Sequence, residues 1–220
     1  MKTDTLRGQV YEALRGQLRT GKLAANRAET ERDLAEKLGV SRTPVREALA
    51  LLVHEGLISS GSRGFVRPEL SREDIADLFQ IRRMLEPGAL VMTIDRLSAH
   101  DIRMLRQHLA EHEAADAAGN VPAFIEANAS FRAIWIGAIP NAQLRTLIER
   151  QNDYIQWIRD TTLSDPTVRT KVIAGLRRIL AALVSGKPAA VTAAIMVHLD
   201  AAERALAAAL ETSSRDQLTG

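Results

Sequence analysis

Apolar residues Leu6, Val10, Leu14 and Leu18 recur every four positions, the spacing of one helical face, and predict a helix over 6–20 that stops near Gly21. Thr30, with Asp33 three residues on, predicts the capped start of a short helix, ERDLAEKL, that ends at Gly39. Ser41 predicts the cap of a third helix, RTPVREALALLVHEG, with Pro44 tolerated in its first turn and Gly56 as the stop. LISSGSRGFVRP then reads as two short strands around a turn between Gly61 and Gly64, and Pro68 and Ser71 mark a boundary. Beyond Ser71 the pattern is helical throughout. The predicted helices are 72–84, 86–97, 99–118, 121–138, 142–163, 166–185 and 188–211. Pro87, Ser98, Gly119-Asn120, Pro140-Asn141, Ser164-Asp165-Pro166 and Gly186-Lys187-Pro188 punctuate them. The closing TSSRDQLTG predicts a frayed tail.

The pattern fails informatively at a few positions. On the helix predicted for 121–138, about 100° per residue gathers Phe124, Phe131, Trp135 and Ile139 in one arc. Asn128 and Arg132 fall inside that arc, not opposite it. The same construction places Arg82 between Ile75, Leu78 and Phe79, and His198 with Val191, Ile195 and Ala202. Three polar side chains, two of them permanent cations, thus point inward from three helices. Burying a charge without a partner costs on the order of several kcal/mol, so Arg132 must have one. Two kinds are open: an anionic ligand, or an acid from another helix, for which Glu86 and Asp153 are the nearest candidates. A helix-packing salt bridge is the ordinary alternative for Arg82, and a plain core histidine for His198.

Composition narrows the class. Apolar residues make up 46% of the 220, enough for a core, while only 4% are aromatic and alanine is abundant, which favours packed helices over sheet. The absence of cysteine excludes disulfides and thiolate chemistry and is compatible with a reducing compartment. No apolar run reaches the roughly 18 residues that would cross a bilayer. The opening MKTDTLRGQVYEAL lacks the apolar core of a secretion signal. A cytoplasmic chain with no membrane partner is therefore expected. Residues 1–70 hold 12 Lys+Arg against 9 Asp+Glu, and residues 71–220 hold 17 against 18. A mildly basic first third on a neutral remainder permits a nucleic-acid-binding head. Paired carboxylates at catalytic spacing, a Ser-His-Asp arrangement and a glycine-rich phosphate loop are all lacking, so the chain is not expected to be an enzyme.

Two short helices joined by GVS and followed by a two-stranded wing form a winged helix-turn-helix plan over residues 1–68. Arg42, Thr43 and Arg46 cluster at the N-terminal turns of its third helix, while Val45, Leu49 and Leu52 hold the other face on the core. A helix N-terminus attracts phosphate, and arginines there can make paired contacts to guanine in the major groove. Gly61 and Gly64 would let the wing backbone approach the minor groove. The alternative is a helical hairpin with solvated arginines. ETERDLAEKLGVSRTPVREALALLVHEGLI, followed by GFV, resembles the DNA-binding head of the GntR family of bacterial transcription regulators over about residues 6–68. The resemblance implies DNA contacts from Arg32, Ser41, Arg42, Thr43, Arg46 and Gly64. Ahead of the second helix the family usually carries Pro-Gly and then a leucine. Ala25-Asn26 and Glu29 stand there instead, a departure expected to loosen the loop without touching a DNA contact.

Residues 69–220 form the all-α helical body of this mainly α chain. Its opening, DLFQIRRMLEPGAL, resembles the FCD ligand-sensing domain of the FadR-type subfamily, most closely at RRMLEP. The resemblance implies a helical bundle, a homodimer and a central cavity for a small effector, often an organic acid. Many members hold a divalent metal there through an aspartate and three histidines. The corresponding positions are Asn128, Arg132, Leu176 and His198, so only one ligand of four remains. Asn is a weak metal ligand, Arg is none at neutral pH, and Leu has no donor. No metal and no other cofactor is expected at this site. His108 and His112 have i, i+4 spacing but read as a solvated or dimer-facing pair.

The expected function is a homodimeric transcription regulator on a double-stranded DNA operator, a repressor by the family's commoner habit. A small organic acid or other anionic effector would be held by Arg82, Asn128, Arg132 and His198, with Phe131, Trp135 and Leu176 as apolar wall. The alternative is a regulator whose body is vestigial and only dimerises.

Overall fold

The computed structural model describes residues 5–19, 28–61, 64–66 and 71–219, without the side chains of Arg19, Val66 and residues 212–219. Gly21, Ala25, Asn26 and Pro68, singled out in the sequence, lie outside the described residues. The chain forms two compact units, Met1–Ser71 and Arg72–Gly220.

The first unit is built from α1 (Leu6–Arg19), α2 (Glu31–Leu38), α3 (Arg42–His54), β1 (Ser59–Gly61) and β2 (Gly64–Val66). Its core gathers Val10, Leu14 and Leu18 of α1, Leu34 of α2, Val45, Leu49 and Leu52 of α3, and Ile58. Leu6, expected on the same stripe, is exposed. Thr30 and Asp33 form the full capping box, and Gly39 closes α2 in the left-handed conformation. Ser41 occupies the N-cap of α3 but makes no side-chain cap hydrogen bond, so its hydroxyl is not committed to the helix.

The wing is an antiparallel pair in which Ser59 faces Val66 and Gly61 faces Gly64. It is pinned to the segment before α2. Glu29 and Phe65 exchange two backbone hydrogen bonds, of 3.0 and 2.9 Å. Glu29 is also buried and paired with Lys37 at 2.6 Å. The expected loosening is therefore not seen at Glu29, because strand-like pairing replaces whatever a leucine would have contributed there. Gly64 has φ +126°, and a Cβ on it would stand 2.6 Å from the Glu29 carbonyl oxygen. Only glycine fits this close approach.

The second unit runs α4 (Arg72–Val91), α5 (Ala99–Ala117), α6 (Val121–Gly137), α7 (Ala142–Glu149), α8 (Asn152–Thr162), α9 (Pro166–Ser185) and α10 (Pro188–Thr219). Three boundaries differ from expectation. Pro87 does not divide 72–97 into two helices; α4 runs through it to Val91 and then gives way to turns. An interior proline costs about 3 kcal/mol. Here Phe79, Arg82, Glu86, Ala89 and Leu90 are all buried on one continuous face, and that burial outweighs the lost hydrogen bond. The helix expected over 142–163 breaks at Arg150-Gln151 into α7 and α8, which lets Ile148, Ile155 and Ile158 all reach the core. The closing residues continue α10 as helix rather than fraying.

The close approach at Gly64 has a measurable consequence. Gly64→Ala should weaken the first unit by about 1–3 kcal/mol, the usual cost of forcing a side chain into such a conformation. Hydrogen exchange of the full chain should show lower protection in peptides from α1 to α3 and unchanged protection in α4–α10. Unaltered protection in the first unit would refute the steric account.

Candidate functional site

In the head, Arg32, Ser41, Arg42, Thr43 and Arg46 are all exposed. Arg32, Arg42, Arg46 and Gly64 line one open depression with Thr30, Glu31 and Phe65. Ser41 and Thr43 lie outside its lining, at the start of α3. The residue that pattern reading missed is Glu31. Its carboxylate accepts three hydrogen bonds from Arg46, two from Nε at 3.2 and 3.1 Å and one from Nη2 at 3.1 Å. Arg42 stands 3.6 Å away. The hydrogen bonds from Arg46 hold the Glu31 carboxyl below its usual range and raise Arg46.

In the body, five helices converge on a small cavity of about 40 Å³. Helix α4 contributes Arg82 and Glu86; α6 contributes Asn128, Phe131, Arg132 and Trp135. Ile155 and Arg159 come from α8, Leu176 and Ile179 from α9, and Ile195 and His198 from α10. The four side chains singled out as ligand contacts thus share one cavity with the three apolar walls named beside them.

Arg132 has the acid partner that its burial demands. Its Nη1 and Nη2 donate to the two oxygens of Glu86 at 2.9 and 3.0 Å, and its Nε reaches Asn152 Oδ1 at 3.5 Å. Arg82 Nε donates to the same carboxylate at 2.8 Å. The two guanidiniums also lie over aromatic rings, Arg82 over Phe79 and Arg132 over Trp135, each 5.0 Å from the centroid. Burial alone would raise the Glu86 carboxyl, but Arg132 and Arg82 prevail and hold it at about 2.

Arg159 was not recognised in the sequence, although it lies four residues beyond Ile155 on the buried face of α8. It is 8% exposed. Its Nε donates to Asn128 Oδ1 at 2.7 Å and its Nη1 to Gln156 Oε1 at 3.3 Å, both neutral acceptors. No carboxylate among the described residues pairs with it. Burial, then the charges of Arg132 and Arg82, push its guanidinium down to about 9, still cationic at neutral pH. His198 is partly buried, and its ring lies against Gly175, where a Cβ would stand 2.5 Å from Nδ1. Burial, reinforced by Arg82, brings the imidazole down to about 4, so it is neutral at pH 7.

This donor set does not suit a divalent metal. It offers one imidazole, one amide oxygen already engaged by Arg159 and one carboxylate, Glu86, whose oxygens are already engaged by Arg82 and Arg132, among three guanidiniums that oppose a further cation. His108 and His112 do not form a pair either. His112 is fully buried, not solvated or dimer-facing; its Nδ1 meets the His108 carbonyl at 2.7 Å and its ring sits edge-on to Phe124. His108 pairs instead with Glu111 at 2.6 Å.

Two stability effects follow. Glu86→Gln leaves Arg82 and Arg132 facing each other in a buried site and should cost about 3–5 kcal/mol. Urea unfolding followed by the fluorescence of Trp135 and Trp157, both in the second unit, measures it; a cost under about 1 kcal/mol would contradict the pairing. His198 has a lowered folded value, so its contribution is whole above about pH 6.5 and disappears as pH falls toward about 4. At most about 3 kcal/mol is lost in that window, less what solvent at the partly exposed ring restores. His198→Gln should flatten the stability profile there, while Glu86 sets a separate loss between about 4.5 and 2.

Comparison with known proteins follows the same two-part division. Residues 6–66 match the family described as bacterial regulatory proteins, gntR family, and residues 77–201 match the FCD domain. The HTH-type transcriptional regulator YdhC of Bacillus subtilis (strain 168) is 31% identical over 153 residues, 69% of this chain and 68% of its own length. The HTH-type transcriptional regulator McbR of Escherichia coli (strain K12) is 33% identical over 133 residues, 60% of each chain, so that match spans about three fifths of its length. The solved structure of E. coli McbR/YncC superposes with a TM-score of 0.77 at 25% identity, covering 95% of this chain and 99% of that one. Among the described residues no helix is long and apolar enough to cross a membrane. The chain belongs to the GntR family of bacterial DNA-binding transcription regulators, with an FCD domain as its C-terminal body.

Proposed function

We propose that this regulator is a homodimeric repressor whose operator affinity is set by a small organic acid or other compact anion held, without a metal, in the five-helix cavity of the body. The observation that carries this reading is Arg159, a buried cation among neutral acceptors. Glu86 already engages both Nη atoms of Arg132 and the Nε of Arg82, so neither has its full fork free for a ligand. The lining holds three guanidiniums against one carboxylate, with His198 neutral. The anchor is therefore Arg159, with Asn128 and His198 as hydrogen-bonding partners and Arg132 and Arg82 supplying field. A cavity of about 40 Å³ has room for only a few water molecules. A larger anion must part the helices, so binding and conformational change are coupled. In the head, Arg32, Ser41, Arg42, Thr43, Arg46 and Gly64 are assigned to the DNA interface, and the open depression lined by Arg32, Arg42, Arg46 and Gly64 supports this for those four.

The competing reading is a body that only dimerises. It is favoured by the bidentate Glu86–Arg132 pair, which satisfies those charges internally, and by the small cavity. Calorimetric titration with a panel of small carboxylates and inorganic phosphate separates the two. At least one anion should bind, quench or shift Trp135 emission, and alter mobility of a DNA complex. Arg159→Gln should weaken that binding at least about tenfold, the loss of one charge-assisted contact. Silence from every anion supports the dimerising body, and stoichiometric zinc in protein purified without chelator would overturn the metal-free site.

A further inference from the structure

We infer that Glu31 is a specificity-determining positioning residue, holding Arg46 in the orientation that reads a base edge and opposing attachment to DNA of the wrong sequence. The role rests on the assignment of Arg46 to the DNA interface. It is carried by geometry within the head. Glu31 is the first residue of α2, directly after the Thr30 cap, and faces α3 across the turn. Its side chain is 21% exposed, against 62% and 63% for Arg42 and Arg46, so the acid lies at the floor of the depression and the arginines form its rim.

The pairing is asymmetric along the guanidinium. Glu31 takes the Nε and Nη2 edge of Arg46. That leaves Nη1 and the outer hydrogen of Nη2, the end-on pair that spans guanine N7 and O6. A guanidinium fixed in plane loses less freedom on meeting a base than one that swings freely. The acid acts in the opposite sense on non-cognate DNA. A carboxylate at the floor of a basic depression repels phosphates, and in a cognate complex only a base contact in register offsets that repulsion. The wing borders the same floor, with Gly64 and Phe65 held in place by the paired backbone of Glu29.

The test uses the full chain and a duplex recovered by selection from a random pool with the wild-type protein, beside a scrambled duplex of equal length. Glu31→Gln, nearly isosteric, should bind the scrambled duplex about two- to fivefold more tightly, as loss of one opposing charge implies. It should bind the selected duplex about tenfold more weakly. Made in an Arg46→Gln background, Glu31→Gln should no longer weaken the selected duplex, because it acts through Arg46, yet should still strengthen the scrambled one. An unchanged ratio of selected to scrambled affinity overturns the role, as does an equal loss in the Arg46→Gln background. If Arg46→Gln alone leaves the selected duplex unaffected, or the wild type enriches no sequence, the assignment of the DNA interface itself falls and takes this role with it.

Discussion

The interior of the body depends on one carboxylate. Arg82 and Arg132 come from different helices, and each would be prohibitively costly to bury alone. Glu86 meets both, with one oxygen shared and the other given to Arg132, and so lets α4 and α6 close on each other. Because Glu86 neutralises only one of two cations, the cavity keeps a positive field, and Arg159 adds to it. That field disfavours a divalent metal beside His198, and it reinforces the burial that keeps His198 itself neutral.

The head uses the same pair of chemical groups for a different end. Glu31 and its two arginines sit near solvent, where water screens an ion pair and it contributes little to stability. What such a pair supplies there is orientation. Buried Glu86 makes a packed core possible, whereas Glu31 aims exposed side chains at something outside the molecule. The contrast follows from dielectric surroundings, since both acids engage a guanidinium through two of its nitrogens.

Much of the fold was legible because local chemistry and burial agreed. The Thr30–Asp33 box, the left-handed Gly39, the capped start at Ser98 and the proline-led starts of α9 and α10 all stand where short-range signals put them. Reading failed where tertiary burial overrode a local signal. Pro87 should end a helix, but the face carrying Phe79, Arg82, Glu86 and Leu90 is buried on both sides of it. Arg150-Gln151 carries no strong breaker, yet the chain turns there to bury Ile148 and Ile155 together. Arg159 stands one turn beyond Ile155 on either reading of this stretch, and its burial is decided only when α8 packs against α6 and α10.

By itself, the sequence determined the two-part architecture, the outward arginines of α3, and the inward direction of Arg82, Arg132 and His198. Each follows from residue type and helical period, which are local properties. Only the tertiary structure decided that Glu86, and not Asp153, is the acid that Arg82 and Arg132 share, that Glu31 grips Arg46, and that Arg159 joins the cavity with no acid of its own. Apart from Arg82–Glu86, one turn apart on α4, these are pairings between elements, by residues 15 to 46 positions apart in the chain. Helical periodicity says which side of a helix is buried; which charge waits there is settled only when the helices meet.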